Sequence, residues 1–341
     1  PSTYSPYSNP SAAKQRQKSV LLSMVHERYI TQKKYNEAIA TQLNYRQPNA
    51  SIRAPHFVFY VKNQLEQEFG PRMVQEGGLN VYTTLDYSMQ KTIEQILSEE
   101  IDSLQTLQVG NGAVLVTQPS TGEILAMVGS KDFFEGNSGA FNVTTGYRQP
   151  GSSIKPITYT LALKRGITAA SLVADVPTKF YVSSSESYSP VNYDSKFHGL
   201  IPVRYALANS YNIPAVKMLE YVGVGNFIGF ANRMGITTWE SQRDRFGLSL
   251  TLGGGEVTML EMATAYGTIR NLGIRKDLTP FRSVQNSIGQ ELYRASNSDV
   301  RAISEEEPFI VSDILSDNVA RTWAFGPNSV LNFGNGLVSV K

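Results

Sequence analysis

The segment of residues 146–157, GYRQPGSSIKPI, holds two residue types suited to acyl transfer, three positions apart. The hydroxyl of Ser152 can act as a nucleophile, and the amine of Lys155 can take its proton if burial keeps part of the lysine neutral. Pro156 is tolerated only in the first turn of a helix, so it predicts a helix that begins at Ser152 or Ser153. Ser152 then lies where a helix dipole stabilises developing negative charge, with Lys155 on the same face.

Two further polar groups follow along the chain. Ser210 and Asn212 form a Ser-x-Asn after a helix-like run, and Lys341 ends a β-like run, NGLVSVK. Alone, Ser-x-x-Lys indicates only a helix start with a surface lysine, and Ser-x-Asn indicates a helix-ending turn. The order Ser-x-x-Lys, Ser-x-Asn and then a lysine is that of the motifs in penicillin-recognising serine acyltransferases.

The elements that must position these groups can be predicted from the apolar pattern. Residues 112–130 predict a β-hairpin with its turn at 119–122, and residues 153–165 and 203–221 predict long helices. Residues 251–273 predict a glycine-rich turn followed by a helix. These glycines have no Lys-Ser/Thr partner, so they indicate helix entry and close packing in preference to a phosphate loop.

Composition argues against several other classes of function. The chain of 341 residues is 41% hydrophobic and 18% charged, which is typical of a globular protein of about two units. Its net charge of +2 gives no reason to expect a nucleic-acid partner. It has no cysteine and its three histidines are far apart, so neither thiolate chemistry nor a metal site is expected. No apolar run of about 18 residues predicts a membrane span.

The chain resembles the class A, bifunctional penicillin-binding proteins over nearly its whole length. Residues 110–341 resemble their transpeptidase domain, and the matching stretches are TGEILAMVGS, FNVTTGYRQPGSSIKPITY, DVPTKF, NYDSKFHGLIPVRYALANSYNIPAVK and LGGGEVTMLEMATAYGTIRNLG. The resemblance implies an α+β fold, the penicillin-binding and serine β-lactamase-like transpeptidase fold, in which helices flank an antiparallel sheet. Residues 1–45 resemble the C-terminal remnant of a glycosyltransferase domain with connector helices, and residues 46–109 resemble an interdomain linker module.

The resemblance also implies a role for each of the five polar groups. Ser152 would attack the carbonyl between two D-alanines of a peptidoglycan stem peptide, and Lys155 would take its proton. Ser210 would relay a proton to the leaving D-alanine nitrogen, with the positive charge of Lys341 nearby. Asn212 would hydrogen-bond the substrate backbone and hold Lys155. An amine of a second stem peptide would resolve the acyl-enzyme, a β-lactam would acylate Ser152 in the same way, and no cofactor takes part.

Two parts of the family pattern are expected to lie outside the printed sequence. The glycosyltransferase domain, which would bind lipid II, and the membrane anchor would precede Pro1. The third family motif is Lys-Thr-Gly, and only its lysine, Lys341, is present, so the C-terminal strands are expected to be missing. The resemblance implies that the parent protein works at the extracytoplasmic face of the bacterial cytoplasmic membrane, alongside other cell-wall synthesis proteins.

Two other functions stay open at this point. The domain could be a binding or sensor module that carries a penicillin-reactive serine, in which case its role would survive Ser152→Ala. It could also be a serine β-lactamase, although no glutamate stands out as a base for deacylation. An acyl-enzyme that lasts hours indicates a transpeptidase, and one that lasts well under a second indicates a β-lactamase.

The first prediction concerns the oxyanion hole. The family takes one donor from the nucleophile's own N–H and the other from an N–H just after Lys-Thr-Gly, so the printed chain has only the donor at Ser152. Loss of one such donor costs about 100–1000-fold in rate. We therefore expect a fluorescent penicillin to label the 341-residue chain slowly in a time-course titration. Fast stoichiometric labelling of Ser152 would contradict this expectation.

Overall fold

Contacts between residues divide the protein into two compact units, residues 1–53 and 54–341. The structure is a computed structural model, and the residues that it describes are Tyr4, Pro6, 9–41, 52–135, 138–181, 187–296, 299–333 and 338–341. Residues 54–109 fall in the same unit as the segment that holds the predicted site. The assignment of residues 1–45 and 46–109 to separate modules stays a prediction.

The first unit contains two helices, α1 (Pro10–His26) and α2 (Gln32–Ala40). The side chains of Asn9 and Thr31 cap them by accepting from backbone N–H groups of the first turn. Such caps satisfy amide hydrogens that have no partner inside the helix, so they fix where each helix begins.

The second unit combines helices with short strands. Its helices, in chain order, are α3 (Pro55–Phe69), α4 (Pro71–Glu76), α5 (Tyr87–Ser103), α6 (Lys155–Lys164), α7 (Val203–Ala208), α8 (Asn212–Val222), α9 (Val224–Met234), α10 (Met259–Arg270), α11 (Glu306–Ser316) and α12 (Thr322–Phe325). Its strands are β1 (Asn80–Thr83), β2 (Val114–Gln118), β3 (Glu123–Val128), β4 (Leu172–Asp175), β5 (Phe180–Tyr181), β6 (Ser187–Tyr188), β7 (Gly199–Pro202), β8 (Ile274–Arg275), β9 (Phe281–Gln285), β10 (Glu291–Arg294) and β11 (Val300–Arg301).

The strands form small antiparallel sheets. Strand β9 lies between β1 and β10, and β2 pairs with β3, β4 with β7, β5 with β6 and β8 with β11. The hairpin predicted over 112–130 is confirmed, with Gly122 at a φ of 75° in its turn. Only a residue without a Cβ adopts that conformation cheaply. The predicted α+β fold with antiparallel pairs and flanking helices is confirmed.

Helix α6 is the centre of the large hydrophobic core. Every residue from Lys155 to Leu163 is buried, so the helix is enclosed on all sides. Helices α8, α9 and α11 pack against it. A helix that is apolar all round belongs in the interior, and a lysine at its first position is therefore held away from water.

The start of this helix differs from the prediction. A 3₁₀ turn over Gly151–Ile154 precedes α6, which begins at Lys155 and not at Ser152 or Ser153. Pro156 still occupies the first turn, where its missing N–H costs no hydrogen bond. Side chains three apart in a 3₁₀ turn eclipse one another, so Ser152 and Lys155 remain on one side.

The helix predicted over 203–221 is wrong as a single element. It is broken between α7 and α8, and Ser210 lies in the break with a φ of 59°. Pro214 explains the break, because its ring excludes the carbonyl four residues earlier, which is that of Ser210, from a continuous helix. The predicted Ser-x-Asn motif therefore lies at a corner of the chain and not on a helix face.

The β-like run that ends at Lys341 is also not a strand where the structure describes it. Residues 334–337 lie outside the described residues, and residues 338–341 have no strand conformation. The N–H of Val340 donates to the carbonyl of Leu315 at 3.0 Å, at the end of α11. The N–H of Val340 therefore bonds to a helix end and not to a neighbouring strand.

Close packing of the glycine run is confirmed. Gly253 has a φ of 92°, and a Cβ added there would lie 2.3 Å from the N and 2.5 Å from the Cα of Gly151. The backbone beside the nucleophile therefore passes directly against Gly253. Gly254 and Gly255 likewise leave no space for a side chain, the first against Ser249 and the second against Leu250 and Trp239.

The second prediction compares Gly253→Ala with Gly166→Ala. Both glycines have a positive φ, but a Cβ at Gly166 meets nothing within 4 Å. We expect Gly253→Ala to lower the free energy of unfolding by about 1–3 kcal/mol more than Gly166→Ala, because it adds a backbone collision to the same dihedral strain. Urea unfolding of the two variants measures the difference, and equal losses would show that the approach of Gly253 to Gly151 is unimportant.

Candidate active site

Four of the five predicted site residues line one cavity of about 530 Å³. They are Ser152, Ser210, Asn212 and Lys341, which come from three separate stretches of the second unit. The fifth, Lys155, is completely buried and contacts two of these four. The structure thus brings the five residues together across almost 200 positions of sequence.

The amine of Lys155 is held by the corner that contains the Ser-x-Asn motif. Its Nζ donates to the carbonyl of Ser210 at 2.5 Å and to Oδ1 of Asn212 at 2.6 Å. A third, longer contact of 3.3 Å joins Nζ to Oγ of Ser210. The left-handed backbone of Ser210 allows its carbonyl and its hydroxyl to face the same amine.

Burial lowers the pKa of Lys155 to about 7. An ammonium group loses its hydration inside the core, so the neutral form of the amine is more favoured there than it is in water. The neutral amine has two hydrogens and one lone pair, which leaves it able to accept from one of its three partners. Because a hydroxyl both donates and accepts, the contact to Ser210 Oγ is the one that can reverse. The site can therefore hold or release a proton at Lys155 near neutral pH.

The turn that carries Ser152 is fixed by contacts that the sequence did not reveal. The hydroxyl of Tyr266 donates to the carbonyl of Ser153 at 2.7 Å. Arg148 and Val257 exchange both of their backbone hydrogen bonds at 2.9 Å. These residues lie in stretches that match the family, but their pairing could not be predicted because it joins segments about 110 positions apart.

Lys341 lies on the other side of the cavity. Its Nζ donates to the carbonyl of Leu207 at 3.0 Å. Burial, followed by the positive charges of Lys155 and Arg321, lowers its pKa well below the usual value. Arg321 also lines the cavity and is almost completely buried, and sequence reasoning did not identify it. Three basic side chains therefore lie at or beside the cavity, and an anionic group bound among them would favour the protonated form of each lysine.

The described residues contain neither a metal-binding cluster nor a membrane-spanning helix. No group of three or more His, Cys, Asp or Glu side chains in that part of the chain could hold a metal ion. None of the helices in the same residues is both long enough and apolar enough to cross a membrane.

The family model of the penicillin-binding protein transpeptidase domain matches residues 112–329, which include Ser152, Lys155, Ser210 and Asn212. The chain belongs to this family. Among its curated relatives, penicillin-binding protein 2D of Bacillus subtilis is 34% identical over 93% of this chain and 45% of its own length. Penicillin-binding protein 1B of Vibrio cholerae is 28% identical over 94% of this chain and 41% of its own length. The transpeptidase domain of this chain is thus of the class A type, and the chain spans less than half of these two relatives.

Solved penicillin-binding proteins have the same fold. Penicillin-binding protein 1A of Haemophilus influenzae superposes with a TM-score of 0.77 at 20% identity, over 93% of this chain and 65% of that one. PonA1 of Mycobacterium tuberculosis, solved in complex with penicillin V, superposes with a TM-score of 0.65 at 20% identity, over 77% of this chain and 70% of that one. The family and the fold agree with the resemblance found from the sequence.

The third prediction follows from the lowered pKa of Lys155. The pKa is about 7 in the folded protein and returns to about 10.5 on unfolding, so the unfolded chain binds more protons between these values. Stability therefore rises with pH across this window. Relative to Lys155→Met, the unchanged protein should gain about 2 kcal/mol of unfolding free energy between pH 7 and pH 9, since one pKa unit is about 1.4 kcal/mol. Denaturant unfolding at both pH values measures this gain, and equal changes in the two proteins would mean that Lys155 is charged in the fold.

Proposed function

We propose that the protein is a serine-type D,D-transpeptidase that crosslinks peptidoglycan stem peptides through an acyl-serine intermediate. The observation that carries the proposal is the buried amine of Lys155, which shares one side of a 3₁₀ turn with Ser152 and contacts Ser210 Oγ. A nucleophile, a base with a pKa of about 7 and a second hydroxyl meet at one cavity, within a transpeptidase family domain.

In acylation, Ser152 Oγ bonds to the carbonyl carbon between the two D-alanines, and its proton passes to neutral Lys155. The N–H of Ser152 donates to the oxygen on which negative charge develops. The carbon–nitrogen bond then breaks, and the leaving nitrogen takes a proton from the hydroxyl of Ser210. The protonated Lys155 returns a proton to Ser210, which leaves both residues as they began.

In the second half of the reaction, an amine of another stem peptide attacks the ester of Ser152. The ester C–O bond breaks as the new amide forms, the proton lost by the attacking amine passes to Oγ of Ser152, and the two stem peptides are joined. A β-lactam acylates Ser152 by the same first step and has no amine leaving group to diffuse away. Acylation by β-lactams is therefore part of the same proposal.

The cationic side of the cavity suits the carboxylate that ends a stem peptide. Lys341 is disfavoured as an ammonium while it faces Lys155 and Arg321 alone. A carboxylate between them restores its proton, so binding and protonation of Lys341 are coupled. Asn212 lies at the same cavity and can hydrogen-bond the backbone of the donor peptide.

The wider setting belongs to the same proposal. A parent protein would present this domain at the extracytoplasmic face of the bacterial membrane, where stem peptides and β-lactams are available. Lipid II would be the substrate of a glycosyltransferase domain elsewhere in that protein, and other cell-wall synthesis proteins would be its partners.

The fourth prediction tests the nucleophile and base on the complete gene product. Ser152→Ala should abolish labelling by a fluorescent penicillin and release of D-alanine from a stem pentapeptide, with thermal unfolding unchanged. Lys155→Ala should lower both rates by about 100–10,000-fold, as expected for loss of a general base. In the unchanged protein, the acylation rate should rise with pH through about 7, because the neutral amine is the active form.

Intact-protein mass spectrometry gives the control, since the acylated residue must be Ser152 and the adduct must persist for hours. Release of D-alanine by Ser152→Ala would overturn the proposal. Rapid loss of the adduct would instead indicate a β-lactamase.

A further inference from the structure

The wall behind Asn212 contains a buried polar chain that the proposed mechanism does not use. Asp175, the last residue of β4, has no exposed surface, and Asn192 is 2% exposed. Burying a carboxylate or a carboxamide costs free energy unless its polar atoms are paired. The partners of these two residues therefore show what the pair is holding in place.

Asn192 is oriented by acceptors on one side. Its Nδ2 donates to Oδ1 and Oδ2 of Asp175 at 2.9 and 2.8 Å, and to the carbonyl of Lys196 at 2.8 Å. An ionised carboxylate and a carbonyl can only accept, so a reversed Asn192 amide would place oxygen against oxygen. The Oδ1 of Asn192 is thereby directed away from Asp175, towards the N–H of Asn212, which donates to it at 2.8 Å.

That N–H is the first of helix α8 and needs an acceptor from outside the helix. The residue before it, Tyr211, gives no side-chain cap. Asn192, from another segment, therefore accepts from an N–H of the first turn, as an N-cap side chain normally does. It fixes the backbone of Asn212 at the corner where Lys155 is held.

The residue next to Asn192 fixes the side chain of Asn212. The carbonyl of Val191 accepts from Asn212 Nδ2 at 2.7 Å. Since Nδ2 must face this carbonyl, Oδ1 of Asn212 faces the amine of Lys155, at 2.6 Å. Residues 191–192 thus determine both where Asn212 lies and which of its two amide atoms meets Lys155.

Asp175 is anchored from its far side by His198. The backbone N–H of His198 donates to Oδ2 of Asp175 at 3.1 Å, and Nδ1 lies 2.7 Å from the same oxygen. The imidazole stacks on the ring of Tyr211, with the centroids 4.1 Å apart. One carboxylate therefore holds the two ends of the 192–198 loop against β4.

We propose that Asp175 and Asn192 are positioning residues for acylation, which set the carboxamide of Asn212 and, through it, the amine of Lys155. The inference rests on the proposed transpeptidase function and adds two residues that do not line the cavity. A displacement of about 1 Å in a reacting group can cost about 100-fold in rate. Loss of a buried hydrogen-bond chain that positions such a group can therefore slow acylation.

The fifth prediction is that Asn192→Ala slows chemistry and not binding. Stopped-flow acylation of the complete gene product by a chromogenic β-lactam, at saturating concentrations, separates the two. The acylation rate constant should fall by about 100-fold, while the dissociation constant of the initial complex stays unchanged. A residue needed only for folding would lower the fraction of active protein and leave the acylation rate constant of the remainder unaltered.

Asp175→Asn is the milder companion, because it keeps the size of the side chain. Its new NH₂ group would face Nδ2 of Asn192 in either orientation, and also the N–H of His198 in one of them. We expect about a tenfold slower acylation, since one donor is left opposed to another. Because Asp175 acts through Asn192, the double variant should be no slower than Asn192→Ala alone, whereas independent effects would multiply.

Asn271→Ala is the matched control. This asparagine also joins two segments, by donating from Nδ2 to the carbonyl of Pro119 at 2.5 Å, but it lies at the C-terminal end of α10 and not at the cavity. Its acylation rate constant should equal that of the unchanged protein, and thermal unfolding of every variant shows which are folded. If Asn192→Ala does not fold, the isosteric Asp175→Asn carries the test.

The outcomes separate the two proposals. Normal acylation in folded Asp175→Asn, multiplying effects in the double variant, or an equal loss in Asn271→Ala would overturn the positioning role while the transpeptidase proposal stands. An unchanged protein that is never acylated at Ser152 would overturn the transpeptidase function, and the positioning role with it.

Discussion

The structure depends on one unfavourable arrangement, the amine of Lys155 inside the hydrophobic core. Helix α6 is buried from Lys155 to Leu163, so its first residue cannot reach water. The core compensates only partly, with three acceptor contacts from Ser210 and Asn212. The remaining desolvation appears as a lowered pKa, which makes the amine a base near neutral pH.

The other features of the site follow from the need to surround that amine with acceptors. A continuous helix through Ser210 would direct its carbonyl along the helix axis. The break before Pro214 and the left-handed residue turn that carbonyl towards Lys155 instead. The close approach of Gly253 to Gly151 then keeps the nucleophile's turn in register with the start of α6. The left-handed backbone of Ser210 is thus located where it positions the amine of Lys155.

Much of this arrangement could be predicted from the sequence, and the rest could not for identifiable physical reasons. Pro156 places the start of α6 within a few residues, because a missing N–H is a local property. The helix predicted over 203–221 continued through Ser210 because the apolar period continues across it, although the Ser-x-Asn motif and Pro214 both indicate a helix end there. The strand expected before Lys341 was wrong because strand formation needs a partner. Asp175 and Asn192 begin two of the stretches that match the family, but their pairing could not be predicted because it joins a strand end to a distant loop.

The burial of Lys155 has a consequence for how such a protein changes over time. An apolar residue of similar length would fit the same interior without a desolvation cost, so the proposed base is also a liability for folding. Engineering for thermal stability alone, by laboratory selection or by consensus design, would therefore favour replacement of Lys155. Selection for activity must therefore act continuously against selection for robustness at this one position of α6.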